Sequence, residues 1–161
     1  LLQAEAEAQA HNKMIWDPET NKDGNSRNYE ELMPWWTSRG GIVNEYRRYG
    51  IDAGAISVRL DYAKIKKALE TGEKLTVLCD LQGGTKSVNS GDLIYAGTKT
   101  QPLNLWIAKS DNPHYEEILR LIKQRYAKHG RGYVYVTGPI TSFNKYPQIE
   151  ITDISQLSDT I

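Results

Sequence analysis

The chain has 161 residues, which suits one domain with room for an additional segment. Hydrophobic residues make up 39% and charged residues 25%, which excludes a wholly disordered chain, a collagen-like repeat and a disulfide scaffold. Lys plus Arg and Asp plus Glu both number 20, so there is no overall basic surplus for gripping phosphates, and any such grip must come from a local patch.

The first residues, LLQAEAEAQAH, have the composition of a solvated helix. Ala8 and Ala10 carry the spacing of a signal-peptidase site, so an exported or membrane-associated location is expected only if a leader or anchor precedes Leu1. Apolar runs are a few residues long, and no membrane-crossing segment is expected in this chain. The lone Cys79 excludes an intrachain disulfide.

Residues 1–50 read as an extended, loop-rich N-terminal arm. The stretch IWDPETNKDGNSRN at 15–28 is dense in turn formers. Pro34 is expected to interrupt any helix in YEELMPWWTSRGG, and Gly40-Gly41 to end that segment. Trp16, Trp35 and Trp36 stand among these polar residues. Aromatic residues in such an arm lie on another surface, either the same molecule's core or a partner, and the three are candidate partner-binding residues. A short helix from Ile42 to Tyr49 is expected to end at Gly50.

Residues 51–72 read as a lead-in: a strand at Ile56–Leu60, then a helix at Asp61–Glu70 with Asp61 as N-cap and Gly72 as its stop. Period-two alternation begins in KLTVLCDL, where Leu75, Val77, Cys79 and Leu81 share one face. DLIYAG and PLNLWIAKS are a second and a third strand. Asn112-Pro113 opens a helix to His129, with Ile118, Leu121, Ile122 and Tyr126 as its apolar stripe. YVYVTGPITSF is a fourth strand, Asn144-Lys145-Tyr146 a turn, and PQIEITDI a fifth strand, leaving 158–161 as a tail.

Three strands, a helix and two strands is the order of an OB-fold, a five-stranded Greek-key barrel with one helix between strands three and four. The closing run YVYVTGPITSFNKYPQIEITDISQL also resembles the last hairpin of bacterial nucleic-acid-binding OB-fold families. The resemblance is carried by Val136, Gly138, Ile140, Pro147, Ile149, Ile151, Gln156 and Leu157. It extends over about residues 60–157 and is specific in the last 25 of them, 133–157. It implies a barrel at 73–157 and a single-strand nucleic-acid-binding role. Gly138 is expected to supply a bulge or bend, and Ile149 and Ile151 to enter the core.

The usual OB contact face, strands two and three, offers Tyr95 and Trp106 for stacking and Lys86, Lys99 and Lys109 for phosphates. Tyr133 and Tyr135 join them if they face outward. Opposing this, residues 69–161 hold ten basic and ten acidic side chains, and half of the basic ones sit on or just after the long helix. Weak binding is therefore expected.

Glu19, Asn21, Asp23, Asn25 and Glu30 follow the oxygen-ligand spacing of an EF-hand loop around Gly24. Glu19 replaces the usual first Asp, Ser26 stands where an apolar residue belongs, and Pro18 precedes the loop, so a polar turn is the plainer reading. His11, His114 and His129 are scattered, and no zinc site forms from them. There is no P-loop, dinucleotide fingerprint or nucleophile elbow, so neither an enzyme nor a cofactor is expected. Two functions remain: a non-catalytic interaction subunit docking into a larger assembly through its aromatic arm, or a single-stranded nucleic-acid-binding module.

Overall fold

The computed structural model describes residues 2–13, 16, 17, 29–81, 84–127 and 130–161, and divides between Gly40 and Gly41 into two units. The first unit contains helix α1, Leu2–Ala10, in the Ala/Glu/Gln stretch. Helix α2 runs from Tyr29 to Glu45, so the expected extended arm is corrected to helix on both sides of a polar stretch. Pro34 lies in its second turn and forfeits one backbone hydrogen bond without ending it. Gly40-Gly41 do not end it either. In the second unit Ile42 and Tyr46, four residues apart on one helical face, are buried with Ala55, Leu78 and Tyr135. That burial draws the helix past two weak helix formers. It closes in a π turn at Tyr46–Gly50.

The second unit is mixed α/β and rich in strands. β1, Ile56–Ser57, is shorter than expected because the chain turns at Val58. Helix α3, Tyr62–Thr71, stops at the left-handed Gly72. Asp61 precedes it without capping it. Its carboxylate accepts instead from the Tyr46 hydroxyl at 2.9 Å and the Ser57 backbone N–H at 3.0 Å. β2 (Lys74–Asp80), β3 (Thr85–Val88), β4 (Gly91–Tyr95) and β5 (Asn104–Ala108) follow.

Helix α4, Tyr115–Leu121, continues as a π turn through Tyr126. It starts later than Asn112 because that side chain is engaged elsewhere: its amide donates to the Ile151 carbonyl at 3.1 Å and its oxygen accepts from the His114 N–H at 3.0 Å. β6 (Tyr133–Pro139), β7 (Thr141–Phe143), β8 (Tyr146–Glu150) and β9 (Leu157–Ser158) complete the chain.

These strands form two sheets rather than one closed five-stranded barrel: β1-β2-β6-β9 and β3-β4-β5-β8-β7. The hydrogen-bond ladders break where the chain changes partner, between β2 and β3 and at Ile140 between β6 and β7. β5 and β8 pair in parallel, and the β2–β6 ladder is antiparallel and unbroken from Lys74↔Pro139 to Asp80↔Tyr133. Gly138 therefore makes no bulge. A Cβ there would lie 2.5 Å from the Ile149 Cγ2, so the glycine permits a close approach between strands.

The shared core contains Val77, Cys79, Ile94, Leu105, Ile107, Val134, Val136, Ile140, Ile149 and Ile151, with Ile65 and Ala68 of α3 and Ile118 of α4 packed into it. Period-two alternation accounts for Val77, Cys79, Leu105 and Ile107 of this set, because one pleated face must leave water.

Candidate functional site

The two sheets turn differently furnished outer faces to solvent. On β2 and β6 the outward pair Leu78↔Tyr135 is covered by Ile42, Tyr46 and Ala55, and Tyr133 packs half-buried beside it. Tyr133 and Tyr135 thus leave the list of stacking candidates: they belong to the covered sheet.

The outer face of the five-stranded sheet is open. The registers Lys86↔Leu93, Leu93↔Trp106, Tyr95↔Asn104, Asn104↔Gln148 and Phe143↔Tyr146 place these side chains on one face, since directly paired residues point the same way. A groove of about 620 Å³ lies at the end of this face where β4 gives way to the 96–103 connection. Its floor is Leu93, Tyr95 and Asn104. One wall is the connection itself, including Thr98, Lys99 and Pro102, and the other is the β7–β8 turn with Phe143, Asn144 and Tyr146. Lys86 reaches it from β3. Tyr95, Phe143 and Tyr146 remain 39%, 55% and 52% exposed, an unusual concentration of uncovered rings.

The walls are built by backbone bonding. Ala96 N–H donates to the Leu103 carbonyl and Thr98 N–H to the Gln101 carbonyl, closing the β4–β5 connection. The Gln101 amide donates to the Arg59 carbonyl at 2.7 Å, tying that wall to the chain before α3. A Cβ on Gly97 would lie 2.2 Å from the Gln101 carbonyl oxygen, so only glycine fits this tight turn.

Of the five residues expected on a nucleic-acid face, Lys86, Tyr95 and Lys99 come together in the groove. Trp106 and Lys109 do not. Trp106, the partner of Leu93, lies two pairs along β5 from Asn104, half-buried with its ring over Gly91, and Lys109 follows the strand's far end. Phe143 and Tyr146 were missed. Their signal was present, since they flank the two-residue turn of the final hairpin, but only tertiary pairing carries that turn beside β4.

Among the described residues no Asp or Glu lines the groove. Lys86, Lys99 and the turn residue Lys145 join no ion pair among the described residues. Two arginines elsewhere are committed to structure. Arg59 binds the buried carboxylate of Asp80 through Nε at 2.9 Å, and Arg125 holds Asp159 through Nε at 3.1 Å. The Arg125 guanidinium keeps the Asp159 carboxyl below its ordinary range against the opposing effect of burial.

Asp92, Tyr115 and Cys79 serve the fold. Asp92, buried, accepts from the Ser87 and Tyr115 hydroxyls. That bond, with burial, pushes the Tyr115 phenol up to about 12. Burial pushes the Cys79 thiol up, which makes it unreactive. Among the described residues no group of three or more His, Cys, Asp or Glu is placed to hold a metal, and no helix is long and apolar enough to cross a membrane. Glu19, Asn21, Asp23, Asn25 and His129 lie outside the described residues, and Glu30 falls in α2.

In the first unit Trp16, Trp35 and Trp36 are each half-buried, and the Arg39 guanidinium stacks 4.6 Å above the Trp35 ring.

A scan against protein-family models finds no match to this chain, and a search of curated proteins finds none either.

Proposed function

We propose that this protein is a non-catalytic module that binds single-stranded nucleic acid in the groove between the β4–β5 connection and the β7–β8 turn. The observation that carries this is the groove's inventory: three exposed rings and two lysines around a lining that, among the described residues, holds no Asp or Glu. Rings stack on bases without regard to sequence, each worth about 1–3 kcal/mol, while lysines neutralise phosphates.

An OB-type topology supports the same reading. β2 with β3, and β6 with β7, can each be taken as one bent strand across a short break. The five resulting runs then pair each with two neighbours, β2–β6, β3–β4, β4–β5, β5–β8 and β8–β7, as an OB-fold requires. Few lysines and no net charge make the affinity weak, on the order of 10⁻⁴–10⁻⁶ M at physiological salt.

The test is fluorescence anisotropy with a short labelled oligothymidylate across a salt series. Binding that weakens with salt, and that falls at least tenfold in Tyr95→Ala and Phe143→Ala, supports the groove. Absence of binding at about 50 mM salt refutes it.

A second reading, docking into a larger protein assembly through Trp16, Trp35 and Trp36, is favoured by the surface that each of the three half-buried rings leaves uncovered, since Trp is enriched at interface hot spots. Limited proteolysis of the chain alone and with co-purifying proteins separates the two: protection of residues 1–40 only in the complex supports docking.

A further inference from the structure

The turn between β7 and β8 holds two residues, Asn144 and Lys145, and both have left-handed backbones, φ 51° and 70°. A two-residue hairpin turn of this kind matches the strand twist and strongly prefers Asn followed by Gly. Asn144 fits its position. Lys145 occupies the position where glycine relieves the strain, and a side chain there opposes folding.

Its location gives that strain a use. Lys145 is exposed at the apex, between Asn144 and Tyr146, which both line the groove. Among the described residues it joins no ion pair, so its ammonium is uncommitted. Opposite, the β4–β5 connection carries Lys99, likewise uncommitted. A strand whose bases stack on Phe143 and Tyr146 must pass its phosphates over this apex. Such a phosphodiester finds there a cation on a turn of fixed backbone.

We infer that Lys145 is a phosphate-binding residue of the groove, held at its rim by a backbone conformation that a lysine adopts only at a cost to stability. The inference rests on the nucleic-acid reading of the groove and adds a residue outside its lining. Local strain retained beside a ligand surface is a recognised signature of function at the expense of stability.

The consequence is an opposed pair of effects. Lys145→Gly should raise the thermal midpoint by roughly 1–4 °C, because it relaxes the turn. The same change should weaken oligothymidylate binding by roughly fivefold at about 50 mM salt and lower the slope of log affinity against log salt by about 0.7. Lys145→Arg should keep both affinity and slope. Lys145→Ala should weaken binding with no gain in midpoint.

Unchanged affinity and slope in Lys145→Gly, with binding lost in Phe143→Ala, would overturn the role of Lys145 and leave the groove standing. Equal weakening in Lys145→Gly and Lys145→Arg would also overturn it, by assigning the effect to turn shape. Failure of the unaltered chain to bind would defeat the groove reading and this inference together.

Discussion

Tyr135 and Tyr95 occupy outward positions on two sheets that share one core, yet one is 3% exposed and the other 39%. The difference lies outside the strands. Residues 42–55 lay Ile42, Tyr46 and Ala55 over the Leu78–Tyr135 pair, whereas the face around Tyr95 is bounded by a connection and a turn that leave it open. An outward aromatic in a strand therefore carries no functional meaning until its cover is known. On the closed face it is structural, and on the open face it is available to a ligand.

Exchanging the two rings for alanine gives the largest test. Tyr135→Ala should cost about 3–5 kcal/mol of stability, as removal of a buried aromatic does. Tyr95→Ala should cost under ~0.5 kcal/mol, with its effect falling on oligonucleotide binding instead. Urea denaturation and anisotropy on both variants measure this. A large stability loss in Tyr95→Ala would erase the distinction between the faces.

A smaller loss on average tests what the sheets share. Ile149 on β8 is fully buried in the core and lies against Gly138 on the other sheet. Ile149→Ala should cost about 2–5 kcal/mol, with a single cooperative transition for the second unit. Separate transitions would show the sheets to be independent.

The smallest effect is a split in pH dependence. On the covered side Asp61 lies below its ordinary 3.8: burial raises it, but hydrogen bonds from Ser57, Lys64 and Tyr46 outweigh that. A lowered carboxyl contributes stability above pH 3.8 that is lost as pH falls through the lowered value. Beneath the open sheet Tyr115 is raised from 10.0 to about 12, so its contribution is complete below pH 10 and is lost as pH rises toward 12. Tyr115→Phe should flatten only the alkaline limb of a stability profile, whereas Asp61→Asn should flatten the acid limb and, by removing the carboxylate that helps raise the Tyr46 phenol, part of the alkaline limb too. Movement of the acid limb by Tyr115→Phe, or an unchanged acid limb in Asp61→Asn, would contradict the assignment.

Much of the core was legible in the amino-acid order. The alternation in KLTVLCDL, NLWIA and YVYVTG placed Val77, Cys79, Leu105, Ile107, Val134 and Val136 on buried faces, because a strand half in water must alternate. Three of the five expected face residues, Lys86, Tyr95 and Lys99, meet in the groove, Tyr95 by its outward place on β4 and Lys99 through the connection that follows it. Gly72 ends α3 as its left-handed freedom predicts.

Tertiary structure decided the rest. Local propensity set Pro34 and Gly40-Gly41 against α2, and burial of Ile42 and Tyr46 overrode it, since packing is worth more than a few weak helix positions. Trp106 and Lys109 read as equals of Tyr95, but position along β5 removes them from the groove. Phe143 and Tyr146 enter it through the pairing of β8 with β5, a contact across more than forty residues of chain. Alternation specifies which face of a strand meets water. Which neighbours then cover that face, and which loops frame it, depends on long-range pairing that no local pattern encodes.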